Sequence, residues 1–335
     1  MTRSVMIGKC VDDVKFSVGL WAFGACADRF CTTGYRERLS LEDRMKLASS
    51  VEEISAVEVA YPRDLQGMTI DDMKGLLDRF GLSVSMVCVD VQTDPRWKFG
   101  SVTSRDPSIR QAALGTIKEA MDVAVALKTM KVNFWPGQDG YDYPFQSDYL
   151  SSWRMITEGL RDISTYNRNV KICIEYKAKE PRTHLLIGSI GKAIMLTEAV
   201  GTENIGVTVD VGHSLMMYEN VAESVALASS KGRLFHIHLN DNYRDWDHDM
   251  IAGSVHFWEF LELLLWLRVV GYHGWYSLDI FPYREDPVLA CQESIDNMKW
   301  LMEIIEAVGV QDLIAAVREG RFREAYARVR RVMKS

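Results

Sequence analysis

Eight short, nearly continuous apolar runs recur along the chain, each followed by a longer stretch with apolar residues at helical spacing. They are FSVGLW (16–21), AVEVAY (56–61), SVSMVCVD (83–90), KVNFW (131–135), VKICIEY (170–176), IGVTVDV (205–211), LFHIHLN (234–240) and WYSLDI (275–280). Runs this rich in valine and isoleucine read as strands buried on both faces. Segments such as SLEDRMKLASSVEEI and SIRQAALGTIKEAMDVAVAL read as the helices between them. Eight strand–helix alternations predict a closed parallel sheet, a single (β/α)8 TIM barrel of the α/β class. An open doubly wound sheet is the alternative, but no GxGxxG follows the first strand, which removes its usual nucleotide signature.

Residues 1–310 are expected to form the barrel and 311–335 a basic helical tail, within the same domain or at a subunit contact. That tail carries Arg318, Arg321, Arg323, Arg328, Arg330, Arg331 and Lys334. Its thin aromatic interleaving and the acidic balance elsewhere argue against a nucleic-acid arm.

A length of 335 residues suits one such barrel, and the net charge of -7 disfavours nucleic acid as the main partner. No run approaches the roughly 20 apolar residues of a membrane span. The start, MTRSVMIGKCVDDVKF, shows neither a long apolar segment nor a small-residue cleavage site, so no signal peptide is read. The six cysteines (10, 26, 31, 88, 173 and 291) form no CxxC pair and are expected to be reduced, packed thiols in a cytoplasmic protein.

Barrel chemistry gathers where the strands run out. The fifth run ends in Glu175 and Lys177, the sixth in Asp210 and His213, the seventh in His236 and His238 followed by Asp241, and the eighth in Asp279. Neighbouring carboxylates repel unless a cation or proton intervenes. Carboxylates with imidazole suit a divalent cation such as Mg²⁺, Mn²⁺ or Co²⁺, and the absence of cysteine from this group argues against structural zinc. One of His236 and His238 is expected to reach the site, with the other turned to the opposite face. The loop RDWDHDM alternates Asp245, Asp247 and Asp249 around Trp246 and His248. Beside this rim it reads as a second cation site, with Asp247, Asp249 and His213 as ligands and Asp210 bridging. One or two cations per chain are expected.

These motifs resemble the xylose isomerase-like barrels, a superfamily of sugar isomerases and epimerases. IEYKAKEPR (174–182) is similar to the stretch that carries a metal-binding glutamate and a substrate-polarising lysine, on Glu175 and Lys177. DVGH (210–213), FHIHLN (235–240), DWDHD (245–249) and Asp279 resemble the remaining metal ligands, with His238 in the ligand position. NFWPGQDGYDY (133–143) resembles the segment whose tryptophan walls the sugar pocket, here Trp135, and WKFGSVTSRDPSIRQAAL (97–114) the start of the helix after strand three. Asp210 and His238 lean toward the rhamnose isomerase and ketose 3-epimerase branches. The second strand departs from the family: Ala60 and Tyr61 stand where xylose enzymes carry a ring-opening histidine.

The resemblance implies a metal-dependent aldose–ketose isomerase. Its candidate catalytic residues are Lys177, Glu175 and His213, and its candidate substrate-binding residues Trp21, Trp135, Lys177 and His213. Phe23 would extend the aromatic wall. Cys26, Arg29 and Phe30 lie in a long first loop that caps the site or reaches a neighbouring subunit. A sugar epimerase is the alternative, as is a lyase on 3-oxo-C-glycosides, which needs no ring opening and would pair with a small second chain. An apurinic endonuclease and a pure binding module are weaker readings. A small carbohydrate is the expected partner and a homo-oligomer the expected assembly.

Overall fold

The computed structural model describes residues 14–180 and 182–334. The amino-terminal stretch read for a signal peptide, with Cys10, lies outside the described residues up to position 13. Every expected run forms a strand: β1 (Lys15–Gly19), β2 (Ile54–Tyr61), β3 (Ser83–Val89), β4 (Lys131–Phe134), β5 (Lys171–Glu175), β6 (Ile205–Asp210), β7 (Leu234–Leu239) and β8 (Trp275–Leu278). They close in the order β1-β8-β7-β6-β5-β4-β3-β2, all neighbours parallel. The first run is shorter than expected, because Leu20–Phe23 winds into a 3-10 turn that brings Trp21 over the barrel mouth.

The helices form because polar caps meet apolar stripes. Ser40 caps α1 (Leu41–Ser50), Thr69 and Asp72 form a reciprocal box on α2 (Ile70–Phe80), and Asp106 caps α3 (Pro107–Ala126). Helices α4 (Tyr149–Tyr166), α5 (Ile190–Val200) and α7 (Val221–Ser230) follow the same rule through Asp148, Ser189 and Asn220. Their inward residues, such as Ile117 and Met121 of α3, are fully buried against the strands. Each such side chain contributes about 1.5–3 kcal/mol by leaving water. Helix α8 (Phe257–Val269) is apolar on most sides because α7 and α9 (Pro287–Val308) flank it.

Past α9 the chain forms α10 (Val310–Arg318) and α11 (Phe322–Val332). Leu313, Ile314 and Val329 are buried, and Tyr326 packs on Trp258 with ring centroids 4.5 Å apart. Arg328 is neutralised locally by Asp312 at 2.6 Å and Glu324 at 2.9 Å. A small sheet of Gly140–Tyr141, Lys179–Glu180 and Thr183–Leu185 stands beside the barrel. No helix among the described residues is long and apolar enough to cross a membrane. Cys26, Cys31, Cys88, Cys173 and Cys291 are free thiols.

Candidate active site at the carboxyl rim

A cavity of about 390 Å³ opens where the strands end, and Glu175, Lys177, His213, His238, Asp247 and Asp279 line it together. Register brings these residues level. His238 of β7 pairs with Asp210 of β6 on one side and Ser277 of β8 on the other, while Glu175 of β5 pairs with Thr208.

Asp210 does two things at once. As the last residue of β6 it faces the rim, and its Oδ1 caps the short helix α6 (Val211–Met216) by accepting the His213 N–H at 2.8 Å. The cap turns the chain so that His213 points back into the cavity. Gly212 permits this turn, since a Cβ there would lie 2.4 Å from Asn240 Oδ1 and 2.8 Å from Asp247 Oδ1.

Two ligand-like groups result at the rim, and a third, Glu58 with His236 and His238, lies beneath them. Glu175, Asp210, His238 and Asp279 each present one atom within 4.8 Å of the others, and so do Asp210, His213 and Asp247. In the first, His238 Nδ1 stands 3.2 Å from Glu175 and 3.1 Å from Asp279. Trp21 Nε1 donates to Asp279 Oδ1 at 2.6 Å, and Asn133 Nδ2 donates to Glu175. In the second, His213 Nε2 meets Asp247 Oδ2 at 3.1 Å. His213 Nδ1 and Asp247 Oδ1 are buried with no hydrogen-bond partner. Lys177, 6% exposed, is held 2.7 Å from Asp247 Oδ2, is paired with Glu180, and stands 5.1 Å from the Trp135 ring centre.

The charges strain against one another. Burial, then Asp247, Glu175 and Asp279, push the Asp210 carboxyl up to about 7 against the pull of His213. Burial lowers His213, but Asp210 and Asp247 outweigh it and raise the imidazole to about 9. Burial followed by Asp247 and Asp279 lifts Asp249 well above the carboxylate range. Lys177 is held above its ordinary value, because Asp247, Glu180 and Asp249 outweigh its desolvation. Packed oxygen donors with an imidazole and two orphaned buried atoms suit a hard divalent cation.

Several expectations change. His236 and His238 lie on the same face, because strand residues two apart always do. Both Nε2 atoms meet Glu58, at 2.8 and 3.1 Å, with His236 deeper in the barrel. Asp241 turns away from the cavity. It anchors its own loop by accepting from His256 Nδ1 at 2.7 Å and from the backbone N–H groups of Val255 and His256. Asp249 lines the cavity but stands outside both convergent groups, and the Asp245 side chain is 75% exposed. Phe23 packs in the apolar core rather than the wall, whereas Trp21 and Trp135 do line the cavity. Cys26, Arg29 and Phe30 do not line it, and Phe30 is 82% exposed. Ala60 faces the cavity, while Tyr61 points outward to bond Glu119 on α3.

Three buried residues at the site escaped the strand-end reading. Glu58 lies mid-strand in β2. Its signal was a lone charge inside the apolar run AVEVAY. Asn133 ties Glu175 to Thr208, whose hydroxyl donates to Asn133 Oδ1 at 2.8 Å. Asn240 donates to Asp210 Oδ2 at 3.0 Å and accepts the Gly212 N–H at 2.7 Å, which locks β7 to α6.

The curated xylose isomerase of Thermus thermophilus is 28% identical over 276 residues, covering 78% of this chain and 70% of that one. Among solved structures, a D-tagatose 3-epimerase-like protein superposes with a TM-score of 0.66 at 19% identity, over 88% of this chain and 98% of its own. The D-psicose 3-epimerase of Clostridium cellulolyticum H10 gives 0.64 at 14% identity, over 87% and 97%. At such identities the superpositions speak for the fold alone. Residues 47–304 match the family described as xylose isomerase-like TIM barrel, a span that contains every residue of the two convergent rim groups. With its closed eight-stranded barrel and its acidic rim, the chain belongs to the xylose isomerase-like TIM barrel family.

Proposed function

We propose that the protein is a divalent-cation-dependent isomerase that interconverts an aldose and its ketose. One observation carries the reading: a buried ammonium, Lys177, sits on the same cavity as the convergent group Glu175, Asp210, His238 and Asp279. Those four would hold one cation. Asp210, His213 and Asp247 would hold a second, with Asp249 at its margin and Asp210 shared. The orphaned His213 Nδ1 and Asp247 Oδ1 support the fit. When bound, such cations supply Lewis-acid polarisation of two neighbouring substrate oxygens.

The chain's own groups do the rest. Lys177 donates a hydrogen bond to the carbonyl oxygen as negative charge grows there, an electrostatic contribution available without reorganisation. Trp135 and Trp21 give the sugar carbons a dry apolar wall. Trp21 and Asn133 hold Asp279 and Glu175 in place from behind. Because Ala60 leaves no imidazole at the end of β2, the substrate is taken up as its open-chain form, or as a ketone.

Epimerisation is the second reading. It is favoured by one feature: Glu175 and Asp279 flank His238 at 3.2 and 3.1 Å, a carboxylate pair able to exchange a proton at carbon. A panel of aldoses, ketoses and 3-oxo-glycosides, incubated in D₂O with Mn²⁺-loaded protein, separates the two. Aldose–ketose conversion without deuterium at carbon supports the isomerase. Inversion at one carbon with deuterium incorporation supports the epimerase. Cation uptake without either reaction overturns both.

A further inference from the structure

Glu58 is fully buried, and its only ion pairs among the described residues are with two imidazoles. In the closed strand order β2 is separated from β7 by β1 and β8, so Glu58 reaches across the barrel interior to bond His236 and His238. Ser277 of β8 donates to Oε1, and the Cys88 thiol of β3 lies 3.1 Å from Oε2. TIM-barrel interiors are ordinarily filled with branched apolar side chains. A carboxylate at this depth, met by four donors from three strands, has been given a specific set of bonds.

Chemistry fixes their direction. An ionised carboxylate only accepts, so His236 and His238 must both carry hydrogen on Nε2. For His238 this leaves Nδ1 on the other side of the ring. There it faces Glu175 at 3.2 Å, Asp279 at 3.1 Å and Asp210 at 3.8 Å. The other tautomer, with hydrogen on Nδ1, would aim that hydrogen at the cation position and a lone pair at Glu58.

Resting on the cation site proposed above, we infer that Glu58 is a positioning residue: it sets the tautomer and orientation of His238, so that Nδ1 is delivered as a metal ligand from β7. His236, whose Nδ1 is buried without a partner, is the second donor that holds the Glu58 carboxylate in that pose. The glutamate touches neither cation nor substrate, and acts through the imidazole.

The test is Mn²⁺ titration calorimetry on metal-free wild type and Glu58→Gln. Glutamine offers one acceptor and one donor to two Nε2–H groups, so one imidazole must turn or change tautomer. Loss of such an outer partner weakens metal binding by roughly 10- to 100-fold. That drop is expected with circular dichroism and melting temperature little changed. Imidazole ¹⁵N spectra of Mg²⁺-loaded wild type are expected to show the Nε2–H form at both His236 and His238. They also decide the matter if Glu58→Gln does not fold. Equal Mn²⁺ affinity in wild type and variant, or an Nδ1–H form at His238, overturns the role of Glu58 and leaves the cation site standing. A wild type that takes up no divalent cation overturns the cation site and this inference with it.

Discussion

Replacing Lys177 with methionine keeps the aliphatic stem and removes the ammonium. The structure assigns that ammonium two partners, Asp247 at 2.7 Å and Glu180, so the substitution carries two separable costs. Removing one partner of a buried ion pair costs roughly 3–5 kcal/mol. Here Asp247 keeps His213 Nε2 at 3.1 Å, and the Glu180 side chain is 29% exposed. The stability loss therefore belongs near the lower end of that range. The catalytic cost is independent of it. Loss of a preorganised donor to a developing oxyanion lowers kcat by roughly 100- to 1000-fold, about 2.7–4 kcal/mol. KM should move far less, because the donor acts on charge that grows only in the transition state. Cation content should stay at the wild-type level, since an ammonium ligates nothing. Thermal melting, metal analysis of the purified variant and steady-state kinetics on the substrate found by the panel read these effects separately. Near-normal kcat with a lowered melting temperature would refute the polarising role and make Lys177 a counter-ion of the acidic rim. Loss of a cation would show instead that Lys177 holds Asp247 in its ligating position.

Three further outcomes are expected. Mn²⁺ at a hundred times its dissociation constant should stabilise the protein by about 2.7 kcal/mol, raising the melting temperature in a way that a chelator reverses; an unchanged melt speaks against the buried cation site. Trp21→Phe keeps the ring but loses the 2.6 Å bond to Asp279, which should cost on the order of tenfold in turnover or cation affinity, since hydrogen bonds to charged groups contribute about 1.5–3 kcal/mol. Asp139 gives a pH test away from the cation site. It accepts from the backbone N–H groups and hydroxyls of Ser101 and Thr103. Burial nevertheless pushes its carboxyl above the ordinary value. The folded state thus holds this proton more tightly than the unfolded chain. The resulting stability is complete below the unfolded pKa of about 3.9 and is lost as pH rises through the folded pKa. Asp139→Asn can still accept at Oδ1 and donate to the Ser101 hydroxyl, so it should fold, flatten that slope in pH-dependent melts and cost little. Asp139→Ala orphans all four donors and should cost roughly 3 kcal/mol or more.

The barrel was legible because its signal is repeated and local. Each strand is a nearly unbroken apolar run, and parallel strands hidden on both faces admit little else. The rim was legible for a related reason. A strand that stays apolar until its last residue and then offers Asp210 or Glu175 announces its own end. Where the pattern is not local, the sequence marks a residue without marking its partners. Asp241 sits next to the rim in sequence, but beyond the adjacent Asn242 N–H its partners lie at 255 and 256, and nothing near 241 shows that the loop doubles back to use it. Asp249 fits a ligand spacing along the loop. Only the folded path of that loop shows that Asp247, and not Asp249, converges with Asp210 and His213.

Glu58 marks the deeper limit. A rule that collects polar residues at strand ends cannot find one that sits three positions before the end of β2 and works across the barrel on a residue 180 positions away. What exposes it is an energetic argument rather than a positional one. A charge inside an apolar strand is costly unless paired, so the run AVEVAY requires partners elsewhere in the chain. The interior residues His236, Ser277 and Cys88 are those partners. The cavity residues therefore decide which groups can meet a substrate. The layer beneath them decides which nitrogen of His238 faces the rim carboxylates, and substitutions at Glu58 should be read by cation affinity before activity.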